Sequence, residues 1–359
     1  MVWCVPSRPV IAALAASLAA SCSSLESGPP PAGDRFERCG DPAATAARER
    51  ANTLIADGEL RAAQPFLSHV VELCPDDVQA HLLRLEVARS LGAAAIAELG
   101  REYEAATDRS SPIPPFMRAQ IAEYEATRQE LLQESLRRDP SFYFAYLELG
   151  RQQRRFDRPQ QALGFLRDAL RARPQCVQAR LELGEVLVEL GRYNEAELEY
   201  DNYRRARPDD RAAAKAHLRL LIYDLDRSAA ARPIVEQLLR EDPDDLDAIM
   251  DLAAIEWKQA RPQLASSLYH RVLQADPFQA NAVLNLGNLH FEVLAAGDED
   301  VKRAAWARAR NAYRYYLNMR RAESLYDLWD YYLTLPYRLK EIDAFLGPAP
   351  AGTIEVDDF

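Results

Sequence analysis

Residues 183–208 read Leu183-Gly184-Glu-Val-Leu-Val-Glu-Leu-Gly191-Arg-Tyr193-Asn-Glu-Ala196-Glu-Leu-Glu-Tyr200-Asp-Asn-Tyr-Arg-Arg-Ala-Arg-Pro208. This stretch decides the fold because its landmarks recur. Pro140, Pro174 and Pro208 are spaced by 34 residues, Pro243 follows after 35 and Pro277 after another 34. Leu149, Leu183, Leu218, Leu252 and Leu286 keep the same frame, and so do Ala162, Ala196, Ala231 and Ala265. Four residues after each of those alanines stands a larger side chain: Leu166, Tyr200, Val235 and Tyr269. Three columns sharing one frame are the mark of a repeat architecture, in which no single unit can bury its apolar face alone.

Each column has a physical reason. A small Ala belongs where the second helix of a hairpin crosses the first, since a larger side chain would push the pair apart. Gly150, Gly184 and Gly287 in the first helix allow a similarly close approach. The residue four places after the Ala lies on the same helical face and fills the gap between the helices. Proline prevents the second helix from continuing and turns the chain into the next repeat. On these residues, the segment from Leu183 to Pro208 resembles the tetratricopeptide consensus.

That resemblance implies an all-α fold, a right-handed superhelical solenoid of helix-turn-helix repeats with a C-terminal helical cap. Sharp repeats are expected within 140–321, at 143–176, 177–210, 212–245 and 246–279, with a last one from Ala280 carrying an insertion around 295–300. An N-terminal region, 38–139, is degenerate. There, 44–77 has Gly58 at its turn and Ala63 at its crossing, and 78–108 has Gly92 at a turn and Ala97 at a crossing. Ser110-Ser-Pro-Ile-Pro-Pro115 then interrupts the array, and one long helix is expected over 116–139. Residues 322–346 are the expected cap, with Leu325, Leu328 and Tyr332 as its stripe, Trp329 as bulk and Pro336 breaking its helix. Residues 347–359 read as a disordered acidic tail.

Composition supports helices, with Ala, Leu, Arg and Glu dominant and only 14 Gly in 359 residues. The net charge of −11 argues against nucleic acid as the main partner, because phosphate binding requires surplus cations.

The first residues read as an address. Met1 to Arg8 carries one positive charge, an apolar run follows from Pro9 to Ala20, and Ala19-Ala20-Ser21 precedes Cys22. The arrangement resembles a bacterial lipoprotein signal, although Ala19 stands where that pattern favours Leu. The resemblance implies removal of residues 1–21 and lipidation of Cys22. Residues 22–37, rich in Pro, Gly and Ser, form the expected tether. Ser23 after Cys22 points by analogy to the outer membrane, with the folded body on the periplasmic face of the cell envelope.

Of the remaining cysteines, Cys39 precedes the first helix of the first repeat and Cys74 ends its second. Those ends lie side by side in an antiparallel pair, so Cys39 and Cys74 are either a disulfide or, with Cys176, small apolar fillers.

Motifs that carry chemistry are lacking. None of His69, His81, His217, His270 and His290 sits in a His-Glu-x-x-His pattern, and no Cys-x-x-Cys, Gly-x-Ser-x-Gly or phosphate-binding glycine loop occurs. His290 takes a first-helix position that is normally packed in tetratricopeptide repeats. No catalytic residue, cofactor or metal is therefore expected, and no enzyme.

In tetratricopeptide arrays the first helices line a concave groove that receives a partner's peptide or helix. Here the twelfth position of successive first helices carries Tyr223, Trp257 and Phe291, and nearby inward positions hold Met250, Asn281, Leu284 and Asn288. These seven residues are the candidate groove, their aromatic rings being either contact surface or packing. Arg48 and Asn52 imitate one arm of the family's carboxylate clamp, but Leu83 stands where Asn is expected, and Glu185 opposes the inward Arg151 and Arg154. The leading expectation is a non-catalytic protein–protein interaction scaffold, lipid-anchored in the bacterial envelope and serving assembly of an envelope, secretion or pilus complex. A self-associating structural lipoprotein is the alternative, followed by an accessory subunit of an envelope polysaccharide or peptidoglycan enzyme.

Overall fold

The structure, a computed structural model, describes residue 36, residues 39–320 and residues 329–349, with side chains from 334 onward in the last stretch. The expected signal peptide (1–21), Cys22, nearly all of the tether (22–37), Leu325 and Leu328, the side chains of Trp329 and Tyr332, and the tail from 350 lie outside the described residues.

Among the described residues there are seventeen α-helices and no strand. The fold class is all-α, and within each unit the helices pair in sequence as the repeat frame implied. The chain divides into two units, Met1–Arg207 and Pro208–Phe359. Unit 1 holds five hairpins: α1 (Pro42–Ala56) with α2 (Leu60–Leu73), α3 (Val78–Leu91) with α4 (Ala93–Ala105), α5 (Ile113–Ile121) with α6 (Glu125–Arg138), α7 (Tyr143–Arg155) with α8 (Pro159–Ala172), and α9 (Val177–Glu189) with α10 (Tyr193–Ala206). Unit 2 holds three and a closing helix: α11 (Arg211–Arg219) with α12 (Ser228–Glu241), α13 (Leu246–Lys258) with α14 (Pro262–Ala275), α15 (Ala280–Glu292) with α16 (Glu299–Met319), then α17 (Trp329–Leu346). Helices touch mainly their neighbours in sequence, as hairpins stacked in order must.

The hairpin turns follow one design. The second residue after five of the first helices takes a left-handed conformation, at Gly58 (φ 81°), Asp157 (55°), Gly191 (69°), Asp226 (53°) and Ala260 (57°). Around Gly191 the Arg192 amide donates back to the Leu187 carbonyl at 2.8 Å, and around Ala260 the Arg261 amide donates to Glu256 at 2.9 Å. Both are the six-residue closing bond of a Schellman turn. Between hairpins, buried or half-buried aspartates cap the next first helix: Asp77, Asp210 and Asp245 accept from the amides of Ala80, Ala213 and Ala248.

The crossing residues are packed without slack. Ala63, Ala162, Ala196, Ala231, Ala265 and Ala309 are fully buried. A Cβ added at Gly150 would lie 2.8 Å from Leu166, one at Gly184 3.2 Å from Tyr200, and one at Gly287 2.8 Å from Tyr313. The missing side chain of the first helix is the space that the residue four beyond the crossing occupies.

Four features depart from the sequence reading. Ala97 is exposed; α3 and α4 are separated by Gly92 alone, and Leu99 and Tyr103 are the buried residues of α4. Residues 116–139 form part of a hairpin instead of one helix. Arg128 holds the break, its Nε donating to the Ala119 carbonyl at 3.2 Å and its Nη2 to Ala122 at 2.9 Å, so the freed carbonyls of α5 are satisfied by a side chain. Pro336 lies inside α17 and does not end it. Leu335 and Ile342, on either side of it, are buried in the unit 2 core, and that packing offsets the lost backbone bond. Finally, Pro208 and Leu218 are ten residues apart where the other repeats have nine. The first helix of this repeat, running from Arg211 to Asp224, is one residue longer than the 13 residues of α7, α9, α13 and α15, and its last stretch, Leu220–Asp224, is a π turn.

At the N-terminal end, the structure joins Cys39 to Cys74 by a disulfide with a Cα–Cα distance of 5.9 Å. The Cys39 amide also donates to Asp77 Oδ2 at 3.3 Å, and Arg48 pairs with the same carboxylate.

Three outcomes follow. Gly287→Ala lowers the urea midpoint by an amount equivalent to about 1–3 kcal/mol, as overpacking does, despite better helix propensity. Ala260→Gly raises stability by about 0.5–1 kcal/mol, because the left-handed turn no longer strains a Cβ. Peptide mapping without reduction recovers Cys39 and Cys74 on one cross-linked fragment, and their replacement by Ser costs about 4 kcal/mol.

Candidate functional site

The seven candidate groove residues all belong to unit 2, on the π turn after α11, on α13 and on α15. The structure separates them into an open part and a closed part.

Tyr223, within the π turn, is 53% exposed. Its hydroxyl donates to Asp251 Oδ1 of α13 at 3.3 Å, so the ring is held across the gap between the two first helices. Met250 and Trp257 are half-buried and pack on the core of the later repeats, and Asn281 is exposed.

The remaining candidates are occupied by the chain itself. Leu284 is 3% exposed and belongs to the core, so it is not a groove residue. The Phe291 ring stacks on Trp306 of α16 (centroids 5.2 Å apart, 16° between planes), and the Arg338 guanidinium of α17 lies 5.1 Å from its centroid. The Asn288 side-chain oxygen accepts from Tyr313 at 2.9 Å and from Arg338 Nη1 at 2.5 Å, while Arg338 Nη2 donates to Glu292 at 2.6 Å. The physical reason is the packing of α17 on the last hairpin, which brings its arginine to the Asn288 acceptor.

In unit 1, the inward cations are likewise neutralised. Arg48 is paired with the buried Asp77, Arg151 with Glu148 and Glu182 (both 2.8 Å), and Arg154 with Glu185 and with Glu189 at 2.6 Å. A cleft of about 230 Å³ between α2, α3 and α4 contains another such pair, the two-pronged Arg84–Glu102 contact at 2.8 and 2.7 Å. No group of three metal-ligating side chains occurs among the described residues. His290 is buried, its ring nitrogens lack hydrogen-bond partners, and burial pushes its pKa down to about 4, so it is a neutral core residue.

Residues 154–220 and residues 220–280 each match a family model described as the tetratricopeptide repeat. The chain carries tetratricopeptide repeats. Similar solved structures include YrrB, described as a TPR protein with an unusual peptide-binding site (16% identical, 54% of this chain and 95% of that one covered, TM-score 0.43). They also include MamA 41-end from Desulfovibrio magneticus RS-1 (18% identical, 51% and 97% covered, TM-score 0.44) and PilW, described as a widely conserved type IV pilus biogenesis factor (20% identical, 57% and 91% covered, TM-score 0.43). No curated protein matches the chain in sequence.

Two residues of these repeats escaped the sequence reading. Arg338 was hidden because nothing local tells which repeat a cap arginine reaches. Asp251 had a signal: it is a lone carboxylate in Ala248-Ile-Met-Asp251-Leu-Ala-Ala-Ile255, where the neighbours are apolar. It is 8% exposed, and burial pushes its pKa up from 3.8 to about 6, against the lowering effects of the Tyr223 hydroxyl and Arg219. The folded protein therefore keeps a proton that the unfolded chain has lost between about pH 4 and 6, and stability falls as pH rises through that window. Asp251→Asn removes this dependence. Urea unfolding of both proteins from pH 4 to 8 checks it, equal slopes being the contrary result.

Proposed function

We propose that the chain is a non-catalytic scaffold, lipid-anchored through Cys22 in the bacterial envelope, that docks a partner's peptide or helix on the first-helix face of unit 2. The observation that carries this reading is Tyr223, a large aromatic left half in solvent in a π turn, braced by a buried carboxylate instead of being packed away. Rings fixed at one end offer contact area at low entropic cost. Trp257 at the same place in the next repeat and the exposed Asn281 extend the surface, the amide being able to bond a partner's backbone. Phe291, Asn288 and Leu284 belong to the closure of the array and bound the surface at one end. The anchor rests on the sequence pattern around Cys22, and assembly of an envelope, secretion or pilus complex is the role that such an address and such a surface suit together.

Capture of partners by the full chain from its own membranes tests the reading. Tyr223→Ala combined with Trp257→Ala lowers recovery of the specific partner at least tenfold while helical circular dichroism is unchanged. Undiminished recovery by the folded double variant removes unit 2 from the account. Cys22→Ala shifts the chain from the membrane to the soluble fraction, and an unshifted chain removes the lipid.

A further inference from the structure

Phe36 stands six residues before the first helix, in a stretch with no repeat landmark, yet it is only 5% exposed. Its ring meets Phe142 edge-on, with centroids 4.9 Å apart. Phe142 in turn packs against Phe116 of α5 at 5.2 Å and Phe144 of α7 at 5.6 Å. A side chain from the very start of the described chain thus completes an aromatic cluster formed about 80 to 108 residues later.

The reach is constrained. Phe36 is three residues from Cys39, which is bridged to Cys74 at the end of α2, so its backbone lies within about 11 Å of that anchor. The α3 helix touches α5 as well as α4, which brings the third hairpin near enough for this to hold. Phe144 is the second residue of a first helix, in the row that carries the exposed Asn281 in unit 2. The row that in unit 2 faces solvent is here buried among Phe116, Phe142 and Tyr143, and Phe36, supplied from outside the repeats, packs on Phe142 beside it.

We propose that the cradle of Phe116, Phe142 and Phe144 is a site for an aromatic side chain of a polypeptide, and that Phe36 fills it in cis. This is independent of the unit 2 reading. A ring held three residues from a covalent anchor has a local concentration on the order of millimolar or more, so a competing segment meets a closed site until Phe36 is withdrawn. The occupant is Phe36 of the same molecule.

The test uses the full chain and two fluorescent peptides spanning residues 31–41, both with Cys39→Ser and one also with Phe36→Ala. The phenylalanine peptide binds the Phe36→Ala chain at least tenfold tighter than the unaltered chain, and the alanine peptide binds neither. Hydrogen exchange over residues 113–144 is faster in the Phe36→Ala chain and is slowed again by the phenylalanine peptide. Should Phe36→Ala not fold, Phe36→Leu serves, with at least threefold tighter binding than the unaltered chain expected. Equal binding to both chains, no binding to a folded variant, or a dimer of the unaltered chain that exchanges this segment would each overturn the proposal.

Discussion

Three of the hairpins depend on one close crossing, where a first helix gives up a side chain so that a large residue from the second can occupy its place. At Gly150 it is Leu166 that enters, at Gly184 Tyr200 and at Gly287 Tyr313. The fit fixes the distance and rotation of the two helices, because a tightly packed interior cannot absorb even one methyl group without displacement. Once that geometry is set, the other faces of the hairpin have no choice of partner. The apolar ones are covered by the next hairpin, and the first-helix face is left over. The surface available for recognition is thus a remainder of the packing problem.

The outermost described hairpins are covered by groups that belong to no repeat, and the two places use different chemistry. At the C-terminal end, α17 supplies Leu335 and Ile342 to the core and Arg338 to Asn288, Phe291 and Glu292. Near the N-terminal end, a disulfide and the buried Asp77 with its partners Arg48 and the Cys39 amide act together, while the ring of Phe36 packs on Phe142 farther along the array. Polar groups are costly to bury, and in both places they are used in sets whose members satisfy one another.

Unit 2 retains a polar irregularity between these closures. Asp251 is buried where its neighbours are apolar, Tyr223 sits in a π turn, and the two are hydrogen-bonded. Neither feature serves the crossing that holds the hairpins together. Departures from local rules that packing does not require tend to mark working surfaces, and this pair carries the proposal of a docking face in unit 2.

The periodic columns of Pro, Leu and Ala, with the residue four beyond each Ala, were enough to determine the helices of the later repeats and their pairing, because each column answers to a contact within one hairpin. Where contacts were local, the sequence was legible. It did not reveal that 116–139 would break, since no residue at Ala122-Glu-Tyr124 forbids a helix and the break is held by Arg128 from the following helix. Nor did it show that Pro336 would be carried inside α17, that Leu284 would be core, or that Asn288 and Phe291 would be taken by Arg338. Those outcomes, and the burial of Phe36, rest on contacts between residues distant in the chain. A period of 34 residues specifies what each position meets within its own hairpin and the next, whereas the closure of an end is specified by no repeat and is decided only when the chain has packed.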